Sequence, residues 1–296
     1  MSLSDRDVGV GPFTGVCCWC GAPAASEEHV ISQWIEKEIE PPPDQVVGNP
    51  TLRRFSHGRV SRWKVQRIAT KKARTRAVCV PCNTGWMSVQ EKRVQPLLGP
   101  LFRGHRRTLT VADQMEIAQW ACIKAGVCDA RPDGVDGGLM SVASRRSIHV
   151  FGQPPQDMLV LLAAYEAASD VAVFNPGGVG DNKAGNPLAQ WATTLVLGHL
   201  VVQIVCRTGS TRPPVLDQLP GGVHNGTSFT VWPPQLGPVE WPPPNLLTVA
   251  ALPAFLTEML PGIDMPADAL LSERDECSNC GETHGPVIRD LPVPEP

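Results

Sequence analysis

The stretches that decide the fold are Cys17-Cys18-Trp19-Cys20 and Cys79-Val80-Pro81-Cys82, two Cys-x-x-Cys pairs that lie far apart in the chain. Zinc prefers four soft or borderline ligands in a tetrahedron, and two residues between cysteines let one tight turn supply two thiolates to the same ion. We therefore predict one structural zinc site, with the ligands Cys17, Cys20, Cys79 and Cys82. Closing this site should bring His29, which follows the first pair, beside Asn83, which follows the second.

Length and composition predict a protein with a well-buried core. The 296 residues are enough for one small domain and one larger one. No long apolar run occurs, and the first residues lack the basic and apolar regions of a signal peptide, so we expect a cytoplasmic protein without a membrane partner. The ten cysteines would also suit a secreted disulfide-rich protein, but a chain of this size does not need such cross-links, and metal binding explains four of them.

Positive charge is concentrated in one segment, although the net charge of the chain is −3. Residues 51–107 contain fifteen lysines and arginines against one acid, Glu91, whereas 1–50 and 108–296 are acidic. Such an excess repels itself unless an anion faces it, and a nucleic-acid backbone is the commonest such anion. A solvated basic loop is the alternative. The candidate phosphate contacts are Arg53, Arg54, Arg59, Arg62, Lys64, Arg67, Lys71, Lys72, Arg74 and Arg76.

The pattern of apolar residues predicts an α+β protein in three parts. These are a flexible lead-in (1–16), a zinc-containing domain (17–108) and a mixed α+β domain of unknown role (109–296). The predicted elements are helices over 31–39 and 111–127, a β-hairpin over 51–68, a strand leading into Cys79, a helix from Asn83, and strands at 147–151, 172–174, 193–206 and 228–232. The segment 158–168 suits either a helix or a strand.

A third Cys-x-x-Cys pair lies in the acidic tail of the last domain. Cys277, Cys280 and His284 provide three ligands, one fewer than a closed zinc site needs. The fourth would have to come from Cys122, Cys128, Cys206 or another subunit. A second zinc site there is therefore a secondary hypothesis.

The two paired motifs together resemble the HNH endonuclease family. The resemblance rests on Cys-x-x-Cys followed by Glu28-His29-Val30-Ile31, and on Cys-x-x-Cys-Asn followed by Gly85-Trp86-Met87-Ser88 and Glu91. It covers roughly residues 17–98. It implies a ββα-metal fold and hydrolysis of phosphodiester bonds, with DNA as the expected substrate and partner.

The resemblance also implies roles for single residues. His29 matches the general base that takes a proton from water, and Glu28 and Asn83 match the ligands of one catalytic Mg²⁺ or Mn²⁺. Carboxylate and amide oxygens suit such a hard cation, while the thiolates keep zinc as a structural metal. His57, among arginines at the predicted hairpin tip, is expected to contact phosphate.

The sequence departs from the family pattern at two positions, and the first of these favours an alternative. No asparagine occupies the position that normally orients the base histidine, which falls near 74–76, so Thr75 or a backbone carbonyl would have to do this. Ser32 replaces the proline that often follows the His-Val-Ile motif. The alternative is a non-catalytic zinc-finger protein that binds nucleic acid, in which Glu28, His29 and Asn83 are structural.

Single residues also have simpler explanations. Asn83 suits a helix N-cap by residue type, and Glu91 suits either a metal contact or a surface pair with Lys92 or Arg93. The last domain could also serve as a sensor, a regulatory partner-binding domain or a homo-oligomer interface.

Overall fold

The computed structural model of the protein describes residues 15–39, 46–52, 55–56, 59–60, 63–69, 74–130, 140–168, 171–174, 177–181, 187–208 and 226–258. These residues form a mixed α+β structure, in agreement with the predicted class. The helices are α1 (Gln33–Ile39), α2 (Val80–Cys82), α3 (Ser88–Phe102), α4 (Val111–Asp129), α5 (Val142–Phe151) and α6 (Leu252–Glu258). The segment Asn83–Met87, which is kinked at Gly85, joins α2 to α3. None of these helices is long and apolar enough to cross a membrane.

Fourteen strands belong to the described ranges. They are β1 (Ser26–His29), β2 (Val46–Leu52), β3 (Phe55–Ser56), β4 (Arg59–Val60), β5 (Trp63–Ala69), β6 (Arg74–Val78), β7 (Arg107–Leu109), β8 (Met158–Ala164), β9 (Val171–Phe174), β10 (Gly177–Asp181), β11 (Pro187–Leu197), β12 (Leu200–Thr208), β13 (Ser228–Trp232) and β14 (Val239–Trp241). All nine strand pairs of the described residues are antiparallel, and they include pairs of sequence-distant strands such as β1 with β6 and β7 with β14.

The N-terminal unit consists of two strands followed by a helical segment. β1 pairs with β6 in antiparallel register, with Glu28 opposite Thr75 and His29 opposite Arg74. The register shifts between Ser26 and Glu28, as in a β-bulge. The chain passes from β6 into α2 with proline in the first turn, where its missing N–H costs no helical hydrogen bond.

The predicted basic hairpin also forms strands. β2 pairs with β5 along seven residues, with Thr51 opposite Lys64 and Gly48 opposite Arg67, and β3 pairs with β4. The predicted turn at His57 and Gly58 lies outside the described residues. The backbone therefore confirms a hairpin in which basic residues are carried on paired strands.

The larger sheet is covered on both faces. Its strand order is β10-β11-β12-β8-β13, and β9 pairs with β11. Every residue of β8 is buried, because alternate side chains enter two different apolar clusters. Leu162 packs in the main core with α4, whereas Ala163 packs with Phe255 of α6. This burial of both faces explains why 158–168 lacks a polar and apolar alternation in the sequence.

Helix α4 packs against α3, α5 and strands of the large sheet. It starts with a capping box formed by Thr110 and Asp113, and it covers the predicted helix 111–127. The sequence predicts an amphipathic helix, but α4 is buried around most of its circumference because both α3 and the large sheet pack against it. One continuous apolar cluster joins Trp19 near the first cysteine pair to Leu162 in the sheet, so the buried core runs past residue 108.

The segment 147–151, predicted as a strand, is the last part of helix α5. Valine and isoleucine favoured a strand there, but helix signals at both ends prevail. The Ser141 hydroxyl accepts a hydrogen bond from the backbone N–H of Ser144, which caps the start of the helix. Gly152 ends it with a φ of 63°. The strand prediction for 147–151 is therefore wrong.

Close packing of Gly126 against Trp19 gives a stability prediction. A Cβ atom at Gly126 would lie 2.4 Å from the Trp19 ring, whereas at Gly99 in α3 its nearest neighbour would be 3.6 Å away. We expect Gly126→Ala to lower the free energy of unfolding by about 1–3 kcal/mol through overpacking. Gly99→Ala should change it by less than about 1 kcal/mol, because the gain in helix propensity is offset by the clash of its Cβ with the ring of Pro100. Urea denaturation of the two variants measures both values, and equal losses would contradict the prediction.

Candidate metal centre and catalytic site

The four predicted zinc ligands come together. The sulfur atoms of Cys17, Cys20, Cys79 and Cys82 all lie within 4.8 Å of one another, and the Cys20 and Cys79 sulfurs are 3.5 Å apart. Zn–S bonds of about 2.3 Å in a tetrahedron place the sulfurs about 3.8 Å apart, which matches this spacing. The cluster can therefore hold a metal ion such as zinc.

Each half of the cluster is formed by a local turn. In the first half, the N–H of Gly21 donates to the carbonyl of Cys17, and Gly21 has a φ of 75°, a conformation that suits glycine. In the second half, Cys79 is the N-cap of α2, and one helical turn brings Cys82 onto the same side. Cys18 takes no part in the cluster, and burial raises its pKa to about 12, so it remains a thiol.

Tryptophans pack the cluster onto the core. The Trp19 and Trp86 rings meet edge to face with their centroids 5.6 Å apart, and the Trp86 ring lies 5.3 Å from the His149 ring of α5. Trp86 is partly buried against the main core, where the sequence predicted it. This packing links the cysteine cluster to α4 and α5.

His29 is the last residue of β1 and is partly exposed. Its Nε2 atom lies 3.2 Å from the side-chain nitrogen of Gln33, one helical turn later in α1. Nε2 accepts from this nitrogen when the ring is neutral and carries its proton on Nδ1. The expected orienting residue Thr75 lies opposite Glu28 in the strand register, and His29 lies opposite Arg74.

Asn83 contacts β1 rather than capping a helix. Its backbone is helical and its N–H donates to the carbonyl of Cys79, because the helical segment has already begun at Val80. Its side-chain nitrogen donates to the Ser26 hydroxyl at 2.6 Å. Asn83 thus contacts Ser26 at the start of β1, whereas His29 at the end of β1 contacts Gln33 of α1.

Glu28 belongs to a buried ion cluster. Its Oε1 atom lies 2.8 Å from the ammonium nitrogen of Lys124, which also lies 2.7 Å from Oε1 of Glu91. The ammonium donates to the carbonyl oxygen of His29 at 3.3 Å, and the Ser32 hydroxyl donates to Glu91. Lys124 is 1 % exposed and Glu28 is 7 % exposed. Glu91 therefore pairs with Lys124 of α4 rather than with Lys92 or Arg93.

The charges in this cluster stabilise one another. Burial alone would lower the pKa of Lys124, but the Glu28 and Glu91 carboxylates raise it above its usual range. Burial alone would raise the pKa of Glu91, but Lys124 and the Ser32 hydroxyl together lower it. The ammonium and the Glu91 carboxylate are therefore both charged at neutral pH.

Sequence reasoning missed Lys124 and Gln33. Lys124 is the single charge in the apolar run 120–127, and a lone charge inside an apolar helix face signals a buried partner. Gln33 follows His29 by four residues, the spacing of neighbours on a helix. Neither signal identifies the partner residue. For Lys124 the partner Glu28 is 96 residues away in the chain.

The other predicted site residues are only partly described. Arg76 is exposed and forms an ion pair with Glu27 at 2.9 Å. Arg59, Lys64, Arg67 and Arg74 lie on described strands, without described side chains. Arg53, Arg54, Arg62, Lys71, Lys72, Cys277, Cys280 and His284 lie outside the described residues. The hypotheses of backbone phosphate contacts and of a second zinc site therefore stay predictions.

Comparison with protein families, with curated proteins and with solved structures finds no match to this chain.

Proposed function

We propose that the protein is an HNH-type endonuclease that hydrolyses phosphodiester bonds, with DNA as its substrate. The observation that carries the proposal is the contact of Asn83 with Ser26. It ties the start of the helical segment to the strand that ends at His29, beside a cysteine cluster that can hold zinc. The two motif halves thus meet at one strand.

His29 is the proposed general base. A neutral imidazole has an ordinary pKa near 6.5, so it can accept a proton from water at physiological pH. In the proposed step, the water oxygen attacks phosphorus, its proton passes to Nε2 of His29, and the bond to the leaving oxygen breaks as that oxygen takes a proton from solvent. Nε2 contacts Gln33 in the structure, so the attacking water replaces the Gln33 amide as the partner of Nε2.

The residues do not fit the hydrated divalent cation that the resemblance implies. Mg²⁺ keeps several waters and needs an accessible carboxylate. Glu28 is buried and already contacts the Lys124 ammonium, so its carboxylate cannot face such an ion from the surface. We therefore assign no step of the reaction to Mg²⁺ or Mn²⁺, and binding of either ion by Glu28 and Asn83 remains a prediction of the resemblance alone.

Cleavage of supercoiled plasmid, single-stranded DNA and RNA tests the proposal. We expect the zinc-loaded protein to cut one of these substrates, and His29→Ala to reduce the rate by about 10²–10⁴-fold, the usual contribution of a positioned base. His105→Ala is the matched control, since His105 is an exposed histidine and should leave the rate unchanged. Equal rates for His29→Ala and the intact protein would overturn the assignment of His29, and so would equal losses in both variants.

A second candidate function is a non-catalytic nucleic-acid-binding protein. The observation that favours it is the ion pair of Glu28 with Lys124, because the acid expected at the phosphate is used inside the protein. This candidate predicts that the intact protein and His29→Ala bind DNA equally, with affinity that falls steeply with salt, and that neither cuts any substrate with Mg²⁺, Mn²⁺ or a chelator.

A further inference from the structure

The Lys124 ammonium occupies a cage of oxygen atoms. Within hydrogen-bond distance it has one carboxylate oxygen each from Glu28 and Glu91 and the carbonyl oxygen of His29. Carboxylate and carbonyl oxygens are the ligands that hard divalent cations prefer, at 2.0–2.6 Å for Mg²⁺ and Ca²⁺. The observed nitrogen–oxygen distances of 2.7 and 2.8 Å are only slightly longer.

We propose that Lys124 is the resident cation of this cage and closes it to divalent metal ions. The chain itself thus supplies the positive charge at Glu28. Lys124 is a residue of α4, and its ammonium contacts the end of β1 twice. It donates to the Glu28 carboxylate and to the backbone carbonyl of His29. Lys124 is therefore a positioning residue for His29, and it needs no dissociable ion to act.

Burial prevents a divalent cation from binding in the cage together with the Lys124 ammonium. A hydrated divalent cation could enter only by displacing the ammonium, and a displaced Lys124 would be left charged in the main core, where it is 1 % exposed. The cluster holds two carboxylates against one ammonium, so removal of the lysine would leave two negative charges facing one small space. That space has the ligand chemistry of a divalent-cation site.

Mn²⁺ binding tests the inference without any need for activity. Zinc-loaded protein is titrated with Mn²⁺ and followed by electron paramagnetic resonance, with Ca²⁺ as competitor. We expect no saturable binding to the intact protein. We expect Lys124→Ala to bind one Mn²⁺ with a dissociation constant of about 10⁻⁴–10⁻³ M, the range of weak oxygen-ligand sites. The added substitution Glu28→Gln should abolish this binding.

Arg145→Ala is the matched control. Arg145 is also buried and pairs with Asp129 at 3.0 Å, so its removal deletes a buried cation that faces a single carboxylate in the described contacts. It should gain no Mn²⁺. A folded, zinc-loaded Lys124→Ala that gains no Mn²⁺ would overturn the inference. If Lys124→Ala does not fold, the intact protein decides: one bound Mn²⁺ that Glu28→Gln removes would overturn the inference, and absence of binding supports it.

One catalytic consequence rests on the proposed function. If the protein cuts DNA, cutting should persist in a chelator under conditions where measured zinc content stays constant. Loss of cutting that Mg²⁺ restores, with zinc unchanged, would overturn this consequence. Absence of cutting under every condition would count against the proposed function instead, and the Mn²⁺ titration would still decide the role of Lys124.

Discussion

Replacement of Cys82 by serine is expected to remove the bound metal and to unfold the segment around the cysteine cluster. All four sulfurs lie within 4.8 Å of one another, so loss of one thiolate leaves an incomplete site. Binding of structural zinc contributes directly to folding, with apparent free energies of about 10–16 kcal/mol in zinc-finger peptides. Even a loss of a few kcal/mol should lower the melting temperature by about 10 °C, at about 2–4 °C per kcal/mol.

Metal analysis and thermal denaturation check this expectation. The intact protein should contain one zinc per chain, and Cys82→Ser well under half of one. Cys18→Ser is the matched control, because Cys18 is adjacent to a ligand but lies outside the cluster. It should keep its zinc. Less than one zinc per chain in the intact protein after careful handling, or full zinc in Cys82→Ser, would contradict the four-cysteine site.

Features that depend on local geometry were predictable from the sequence. The spacing of each cysteine pair specifies a tight turn, and only the joining of the two pairs required an assumption, namely that one zinc takes all four. The predicted hairpin over 51–68 was confirmed in part, because β2 begins at Val46, five residues before the predicted start. Helix α4 followed from its apolar period.

Features that depend on contacts between distant segments were not predictable. Glu91 was assigned to a metal or to a surface pair with Lys92 or Arg93, whereas its partner is Lys124, from a helix outside the motif. A single sequence shows the residue types but not which helix packs over which strand, and the ion cluster depends on that packing. The N-cap role considered for Asn83 is also wrong, because the helical segment begins at Val80, three residues earlier.

The ion cluster also determines whether the acid of the Glu-His motif can reach a substrate. A carboxylate at the surface could bind a metal or a phosphate-bound water, but Glu28 is held in the core by an ammonium that itself has no access to solvent. His29, the next residue, stays partly exposed at the end of the same strand. The motif is thus divided between a buried acid and a partly exposed histidine, which is why the two candidate functions differ mainly in the role of His29.

Lys124→Met is expected to lower the free energy of unfolding by about 3–5 kcal/mol at pH 7, the usual cost of leaving buried charges without their partner. Methionine retains most of the side-chain volume, so the loss reports the missing ammonium rather than a cavity. Lys92→Met is the matched control, since Lys92 is exposed on α3 next to Glu91, and it should change stability by less than about 0.5 kcal/mol. Urea denaturation measures both variants.

The pH dependence of this loss distinguishes an electrostatic role of Lys124 from a packing role. In the intact protein, burial opposes and Lys124 favours the charged form of Glu91, and its pKa is lowered overall. Glu91 therefore stabilises the fold above its unfolded pKa of about 4.3, and this contribution disappears as pH falls through the lower folded pKa. Without Lys124, burial raises the pKa of Glu91, so the variant loses stability as pH rises. The difference between intact protein and Lys124→Met should therefore shrink from pH 7 to pH 4.5, and a constant difference would show that Lys124 acts through packing alone.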